Sequence, residues 1–399
     1  MIKRIDVKLL RPGMYVHDLD ARWIDHNFFR SHFPIKSEAD VNRVINQGIK
    51  YLYIDTTMGD DLDSALSLGD IDTRLNATLQ ELARGEPTPR CRSVKEEKAT
   101  ARNIFLEADT QIKKVMDDVR EGAKVNADDL DPIVNRIFQS VTRCPYALTG
   151  IARIKVLDRY TSMHCVSVAA LMTAFARSLG MDEELTGEIT KGALLHDIGK
   201  ALIPAKILNK ISKPSEDERR LLRGHVQLSI SILKQTIGVT PIMDELVSQH
   251  HERIDGSGYP LGLEQEQMGR VGQMAAIADA YDTLTSPREY RRAWQPTYTL
   301  KKLLEWSQHH FNPELVSRFI KMQGIFPIGT LVELKSGLVG VVIDQGERLN
   351  QPLVKIFYNG KKGRYEHIHE VQIGKTDDTI EHAINPDKYN IDTKVFADF

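Results

Sequence analysis

Residues 193–202 read ALLHDIGKAL, and the adjacent His196 and Asp197 at their centre decide how the chain is read. Both side chains hold metals or protons, yet they stand where a helix buries leucine and isoleucine. A buried histidine satisfied by its aspartate neighbour would account for this pair taken alone. The surrounding sequence argues for more. His164 lies upstream, His225 downstream, then His250, His251 and Asp279. Asp197 and these six other candidate ligands fall on segments that all read as helical.

The histidines are in register with apolar stripes. Val156, Leu157, Tyr160, His164, Val168 and Leu171 follow helical spacing, as do Leu185, Ile189, Ala193 and His196. The same holds for Leu221, His225, Leu228 and Ile232, and for Met243, Leu246, Val247 and His250. Such a stripe is the face a helix turns inward. One histidine on an apolar face is an ordinary core residue. Several, on separate helices that share one interior, call for a shared partner, and a metal is the partner that suits them.

The remainder bounds the architecture. A chain of 399 residues is long enough for two or three domains and a sizeable core. Lys and Arg number 53 against 55 Asp and Glu, so bulk binding to a DNA or RNA polymer gains no support. Cys91, Cys144 and Cys165 are widely spaced, which fits neither a disulfide framework nor a thiolate zinc site. MIKRIDVKLL lacks a signal-peptide run and no window reaches membrane-spanning length, so a cytoplasmic protein without membrane contact is expected.

The expected fold is multidomain and mainly α. Residues 1–56 form a small α+β unit, with a strand on Ile5, Val7 and Leu9, a helix from Ser37 to Gly48 and a strand at Tyr51–Asp55. Residues 57–143 supply a linker and connecting helices, on which Ile104, Ala108, Ile112, Val115 and Met116 make one stripe. Residues 144–325 are the helical domain that carries the candidate ligands, 326–374 a small antiparallel β module, and 375–399 a polar tail that is partly disordered. The connecting helices offer a surface for a homodimer.

Histidine and carboxylate ligands without thiolates suit iron, manganese, nickel or zinc. Seven candidates are too many for one ion. They suit two divalent ions about 3.5–4 Å apart that share a carboxylate, acidify a bridging water and clamp the attacking and leaving oxygens of a phosphodiester. Asp197 is the natural bridge. HHERIDGSGYP follows at 250–260, where Gly256 and Gly258 allow a close backbone approach and Tyr259 offers an aromatic face. Placed directly after two ligands, this loop reads as a site wall. Arg288, Arg291 and Arg292, with Lys200, are candidates for phosphate contact; the competing reading is a solvated arginine face.

His196-Asp197 with DIGK, and the intact HHERIDGSGYP, resemble the HD-GYP phosphodiesterases, a branch of the HD superfamily of metal-dependent phosphohydrolases. The resemblance covers about 150–325, with His225 and Asp279 at fitting positions. The first unit is similar, more loosely, to a domain of unknown function often found ahead of bacterial HD-GYP domains. The resemblance implies an all-helical HD-type domain that hydrolyses cyclic di-GMP to the linear dinucleotide pGpG and further to GMP, through a metal-bridging hydroxide. It implies His164, His196, Asp197 and Asp279 around one ion, and Asp197, His225, His250 and His251 around the other. Iron is the first choice of metal, with manganese or nickel behind it. Asp197 and Lys200 take catalytic roles. Lys200, Asp255, Gly256, Gly258, Tyr259, Arg288 and Arg291 line the substrate. Some relatives hold a third ion through a glutamate one turn before the first histidine. Tyr160 stands there, so two ions are expected and the step to GMP is in question. The other readings are a 3′,3′-cyclic GMP-AMP phosphodiesterase, a di-iron oxygenase, and a non-hydrolytic cyclic dinucleotide sensor that signals through protein partners.

Overall fold

The computed structural model describes residues 1–20, 32–84, 92–151, 160–287 and 293–385. These form two compact units, Met1–Thr78 with Lys213–Arg220, and Leu79–Ser212 with Leu221–Phe399. Among the described residues no helix is long and apolar enough to cross a membrane.

The first unit has β1 (Ile2–Asp6), β2 (Tyr15–Asp18), β3 (Phe33–Pro34), α1 (Glu38–Ile45), β4 (Tyr51–Asp55) and β5 (Leu66–Ser67). Its antiparallel sheet has the order β3-β2-β4-β1-β5. Ile5 pairs with Leu52, and both are buried with Val16, Val41, Val44 and Ile54. Ser37 and Asp40 close a capping box that starts α1. Val7 and Leu9 depart from the strand expected of them. The Asp6 carboxylate accepts from the Lys8 N–H and turns the chain into a short 3-10 helix, leaving Leu9 exposed.

The division between the units falls within α2 (Leu68–Ala83). The second unit continues with α3 (Val94–Arg120), α4 (Asp131–Arg143), α5 (Pro145–Ile151), α6 (Tyr160–Ser178) and α7 (Glu183–Leu195). A 3-10 turn at Ile198–Leu202 leads to α8 (Ala205–Leu208); the division between the units falls again within α9 (Glu216–Arg223), after Arg220, and α10 (His225–Leu233) and α11 (Pro241–Gln249) follow in the second unit. Then come α12 (Arg270–Thr285), α13 (Pro296–Trp306) and α14 (Pro313–Gln323). The helices expected as connectors belong to this core. Ile104, Ala108 and Ile112 of α3 and Ile133 and Ile137 of α4 are buried in one cluster with α6, α7 and α12. Asn126 caps a 3-10 turn at Ala127–Leu130, directly ahead of α4. Leu221 leaves its expected stripe and is exposed, because the chain breaks at Gly224 between α9 and α10. Val156 and Leu157 lie outside the described residues.

The helices are followed by β6 (Leu331–Leu334), β7 (Leu338–Asp344), β8 (Leu353–Asn359), β9 (Arg364–Gln372) and β10 (Ile380–Ala383), in the antiparallel order β10-β6-β7-β8-β9. Residues expected as a polar tail supply β10, whose backbone completes the free edge of β6. Residues 386–399 of that tail lie outside the described residues.

A buried ion pair ties α3 to α4. Glu97 accepts from Arg143 Nε at 2.9 Å and Nη2 at 2.6 Å, and from Ser140 Oγ at 3.0 Å. Burial alone would raise the Glu97 pKa; Arg143 and Ser140 outweigh it and hold the carboxyl below its ordinary range. Arg143→Ala strands this carboxylate. Its expected cost is about 3 kcal/mol at neutral pH, the lower end for a broken buried pair because Arg143 is partly open to water. The depressed pKa means the pair stabilises above the ordinary glutamate range and fades as pH falls through the folded-state value. Urea unfolding should therefore show the gap between native and variant protein shrinking on acidification.

Candidate metal centre

Four imidazoles are each anchored through Nδ1, three of them to a backbone carbonyl. His196 Nδ1 donates to the Ala193 carbonyl at 2.8 Å, His225 Nδ1 to Leu222 at 2.6 Å and His250 Nδ1 to Val247 at 2.8 Å. Each acceptor is three residues back, at a helix end or turn where the carbonyl has a free lone pair. His164, in mid-helix, instead directs Nδ1 at Asp282 Oδ2, 2.6 Å away. A ring whose Nδ1 carries the proton presents Nε2 as a bare lone pair. All four Nε2 atoms point into one buried space.

There they meet each other and two carboxylates. His164 Nε2 is 3.3 Å from His196 Nε2, and His225 Nε2 is 3.4 Å from His250 Nε2. Asp197 Oδ1 is 3.1 Å from His225 Nε2, and its Oδ2 is 3.4 Å from His164 Nε2. Asp279 Oδ1 is 3.0 Å from His164 Nε2, and its Oδ2 is 3.5 Å from His251 Nδ1. The ligand atoms divide into two groups, each within 4.8 Å: Asp197, His225, His250 and His251, and His164, His196 and Asp279. Asp197 touches both groups.

The electrostatics favour bare ligands. Burial drives the His250 pKa down to about 3 and lowers that of His196, keeping both rings neutral. Burial would raise Asp197, but the charge of Lys200 and the neighbouring imidazoles hold it well below the carboxylate range. Asp279 is likewise held down, against burial, by His251 and His164. His164 runs the other way: Asp279 and Asp282 outweigh burial and raise it. Facing lone pairs repel, and Asp197 Oδ1 is fully buried without an aligned hydrogen-bond donor. Buried acceptors without donors are costly. A divalent cation satisfies every one of them, so the donor set fits divalent metal.

The sequence-designated residues fall around this centre in different ways. Lys200, one turn on from His196, places its ammonium on Asp197 Oδ2. Tyr259 lies against the His251 ring, centroids 4.8 Å apart, and its N–H donates to the His251 carbonyl. Gly258 passes so near the backbone of Glu252 and Arg253 that a Cβ would lie 2.4 Å from it. Gly256 takes a φ of +74°, open to glycine. Asp255 serves its own loop, Oδ1 accepting from the Ser257 N–H and hydroxyl. Arg288, Arg291 and Arg292 lie outside the described residues.

Two further residues emerge only here. Asp282 orients His164 from 118 residues away. Its sequence signal is weak but present: Asp279 and Asp282 stand three apart in a helix buried on nearly all sides. Glu252 is buried, and its carboxylate accepts the N–H groups of Leu261, Gly262 and Leu263, closing the loop behind Pro260. Nothing in the local sequence separates it from a solvated glutamate.

The chain is similar to known proteins along most of its length. Residues 146–315 match the HD domain family and residues 2–130 a domain of unknown function, DUF3391. A cyclic di-GMP phosphodiesterase of Pseudomonas aeruginosa is 38% identical over 365 residues, covering 90% of this chain and 86% of that protein. A cyclic di-GMP phosphodiesterase of Thermotoga maritima is 33% identical over 42% of this chain and 45% of its own length. A 3′3′-cGAMP-specific phosphodiesterase of Vibrio cholerae is 31% identical over 42% of this chain and 32% of its own. With both motifs intact, and a relative matched along nearly its whole length, the chain belongs to the HD-GYP family of HD-domain proteins, with a DUF3391 domain ahead of the HD domain.

Proposed function

We propose that this protein is a metal-dependent phosphodiesterase that hydrolyses cyclic di-GMP in the cytoplasm. One observation carries the reading: four inward Nε2 atoms, His251 and two ionised carboxylates converge as two ligand groups that share Asp197. His164, His196, Asp197 and Asp279 would hold one divalent ion; Asp197, His225, His250 and His251 would hold the other, with iron preferred over manganese or nickel. When bound, such ions supply an acidified water as nucleophile and neutralise charge on the phosphoryl oxygens.

The chain's own groups do the rest. Lys200 bonds Asp197 while its side chain keeps some exposure, so it can contact both the ligand shell and a phosphate oxygen. Its charge also keeps Asp197 ionised at the pH where the enzyme works. Tyr259 and the glycines of its loop shape the wall, and Glu252 holds that loop in place. Arg288 and Arg291 complete the phosphate contacts. Tyr160 stacks on His164, centroids 5.9 Å apart, in the place a third carboxylate ligand would need. On this reading pGpG is the expected product, and release of GMP is the outcome that would point to a third ion.

The test is turnover of cyclic di-GMP by the metal-loaded protein, with products separated and metal counted. Accumulation of pGpG supports the reading. Faster turnover of 3′,3′-cyclic GMP-AMP would move this chain toward the Vibrio cholerae relative's substrate. Binding of either without hydrolysis would make it a sensor acting on signalling partners. Sedimentation of the same sample checks for a homodimer.

Asp282→Ala tests how the first ligand is aimed. Losing a carboxylate behind a ligating imidazole costs about 10–100-fold in metal affinity or activity. Metal titration should show weaker binding of that order, while circular dichroism keeps the helical signal. Unchanged affinity would mean that packing alone orients His164.

A further inference from the structure

Asp279 reaches the ligand cluster from α12, and much of the surface of that helix is smooth. Gly272, Ala275, Ala276, Ala278 and Ala280 are small and buried on it. Burial of apolar surface is non-directional, so by itself it fixes the axial position of a helix poorly. The first N–H groups of a helix find no partner within it. The N-cap of α12 is Gly269, which has no side chain to offer them. Here α11 supplies the acceptors. Glu245 Oε1 accepts from the Val271 N–H at 2.8 Å and from the Gly272 N–H at 3.0 Å, and Gln249 Oε1 accepts from the Gly269 N–H at 2.8 Å. The approach is tight: a Cβ at residue 269 would lie 2.0 Å from Glu245 Cδ, and one at residue 272 would lie 2.3 Å from Gln249 Oε1.

Both helices carry ligands. α11 ends at Gln249 and leads directly into His250 and His251. Asp279 lies about two turns beyond Gly272 on α12, and its Oδ2 is 3.5 Å from His251 Nδ1. We infer that Glu245 is a positioning residue for the metal centre: by capping α12 from α11 it fixes Asp279 of one ligand group against His250 and His251 of the other. The inference rests on the two-ion reading above. The bonds of Glu245 go to backbone N–H groups, so it acts on the ions through the placement of α12. A negative charge near two cations would also favour metal, without any bond. The two causes are separable, because a hydrogen bond needs reach and direction whereas a charge acts from a distance. Glu245→Gln keeps the reach and the acceptor oxygen and loses the charge. Glu245→Asp keeps the charge and is one methylene short.

The experiment titrates Mn(II) into metal-free full-length protein by calorimetry, for native, Glu245→Ala, Glu245→Gln and Glu245→Asp. Arg143→Ala is the control, since it loses stability through the Glu97 pair on α3 and α4. Urea unfolding establishes that each sample is folded under the titration conditions. Glu245→Ala and Glu245→Asp should each weaken Mn(II) binding by about tenfold, the low end of what outer support of a ligand is worth. Glu245→Gln should stay within about threefold of native, since a neutral acceptor makes the same bonds at roughly half the strength. Arg143→Ala should bind as native does. Native-like affinity in both Glu245→Ala and Glu245→Asp would overturn the assignment. So would native-like binding by Glu245→Asp with loss in Glu245→Gln, which would make charge the cause. An equal loss in Arg143→Ala would overturn it too, because metal affinity would then follow stability alone. If Glu245→Ala does not fold, the Gln and Asp variants decide. If native protein binds two Mn(II) ions without hydrolysing cyclic di-GMP, the phosphodiesterase reading falls and the Kd series still decides Glu245. If it binds no Mn(II), both fall.

Discussion

Asp197→Ala is expected to lower cyclic di-GMP turnover by more than about 100-fold, since an outer partner of a ligand can alone be worth about 10–100-fold and Asp197 stands inside that shell. Its carboxylate contacts both ligand groups, within 3.5 Å of Nε2 atoms of His164, His196 and His225. The stability signature is as informative as the rate. In metal-free protein this carboxylate is buried with an oxygen that no donor satisfies. Removing it relieves a desolvated charge, and Lys200, with some exposed surface, can turn to water. Replacing buried charge by apolar atoms is often neutral or stabilising. The metal-free variant should therefore melt at or slightly above the native temperature. Metal binds only the folded state and so stabilises it by mass action. That gain should be present in the native protein and nearly absent in Asp197→Ala. A variant that melts well below metal-free native protein would mean that Asp197 is a structural group, and the loss of activity would then say nothing about chemistry.

Gly199→Ala should be strongly disruptive for a single added methyl. A Cβ there would lie 2.1 Å from the His225 carbonyl oxygen and 2.5 Å from the Ser229 nitrogen. Both are backbone atoms of α10, so no side chain can swing aside. The Gly199 N–H also donates to Ser229 Oγ, which donates on to the His196 carbonyl. Restoring normal contact requires α10 to back away by about 1 Å, and overpacking of this kind costs about 1–3 kcal/mol, here at the upper end. His225 travels with α10, so metal affinity should fall together with stability. Gly187→Ala is the matching control. Its Cβ would meet only Val134 Cγ1, at 3.9 Å, within the regular helix α7. Helix propensity then favours alanine by up to about 1 kcal/mol. Denaturant midpoints should move in opposite directions for the two variants. A mild effect of Gly199→Ala would show that the turn after Asp197 and α10 are not locked together.

These two glycines show where reading a sequence stops. Gly199 lies in the HDIGK motif and Gly187 in a plain helical stretch, yet neither neighbourhood says what an added methyl would meet. What separates them is a backbone crossing some 30 residues away in the chain. Asp282 and Glu252 belong to the same class, since each does its work on groups brought near by folding. The break at Gly224 is another case: the stripe through Leu221 and His225 has helical spacing, yet the chain turns there and Leu221 faces out. Leu9 left its strand because a local aspartate cap outcompeted alternation.

By itself the sequence determined the chemistry of the centre and the faces that carry it. Histidine and aspartate donors without thiolates, set on apolar stripes, fixed an inward ligand set, because burial follows helical period and ligand preference follows side-chain type. The motifs HDIGK and DGSGYP placed a loop wall beside it. The tertiary structure decided which imidazole faces which carboxylate, which nitrogen carries the proton and which residues brace the ligands. Those properties depend on helix crossings and on carbonyls and carboxylates distant in the chain, whose positions no local pattern encodes.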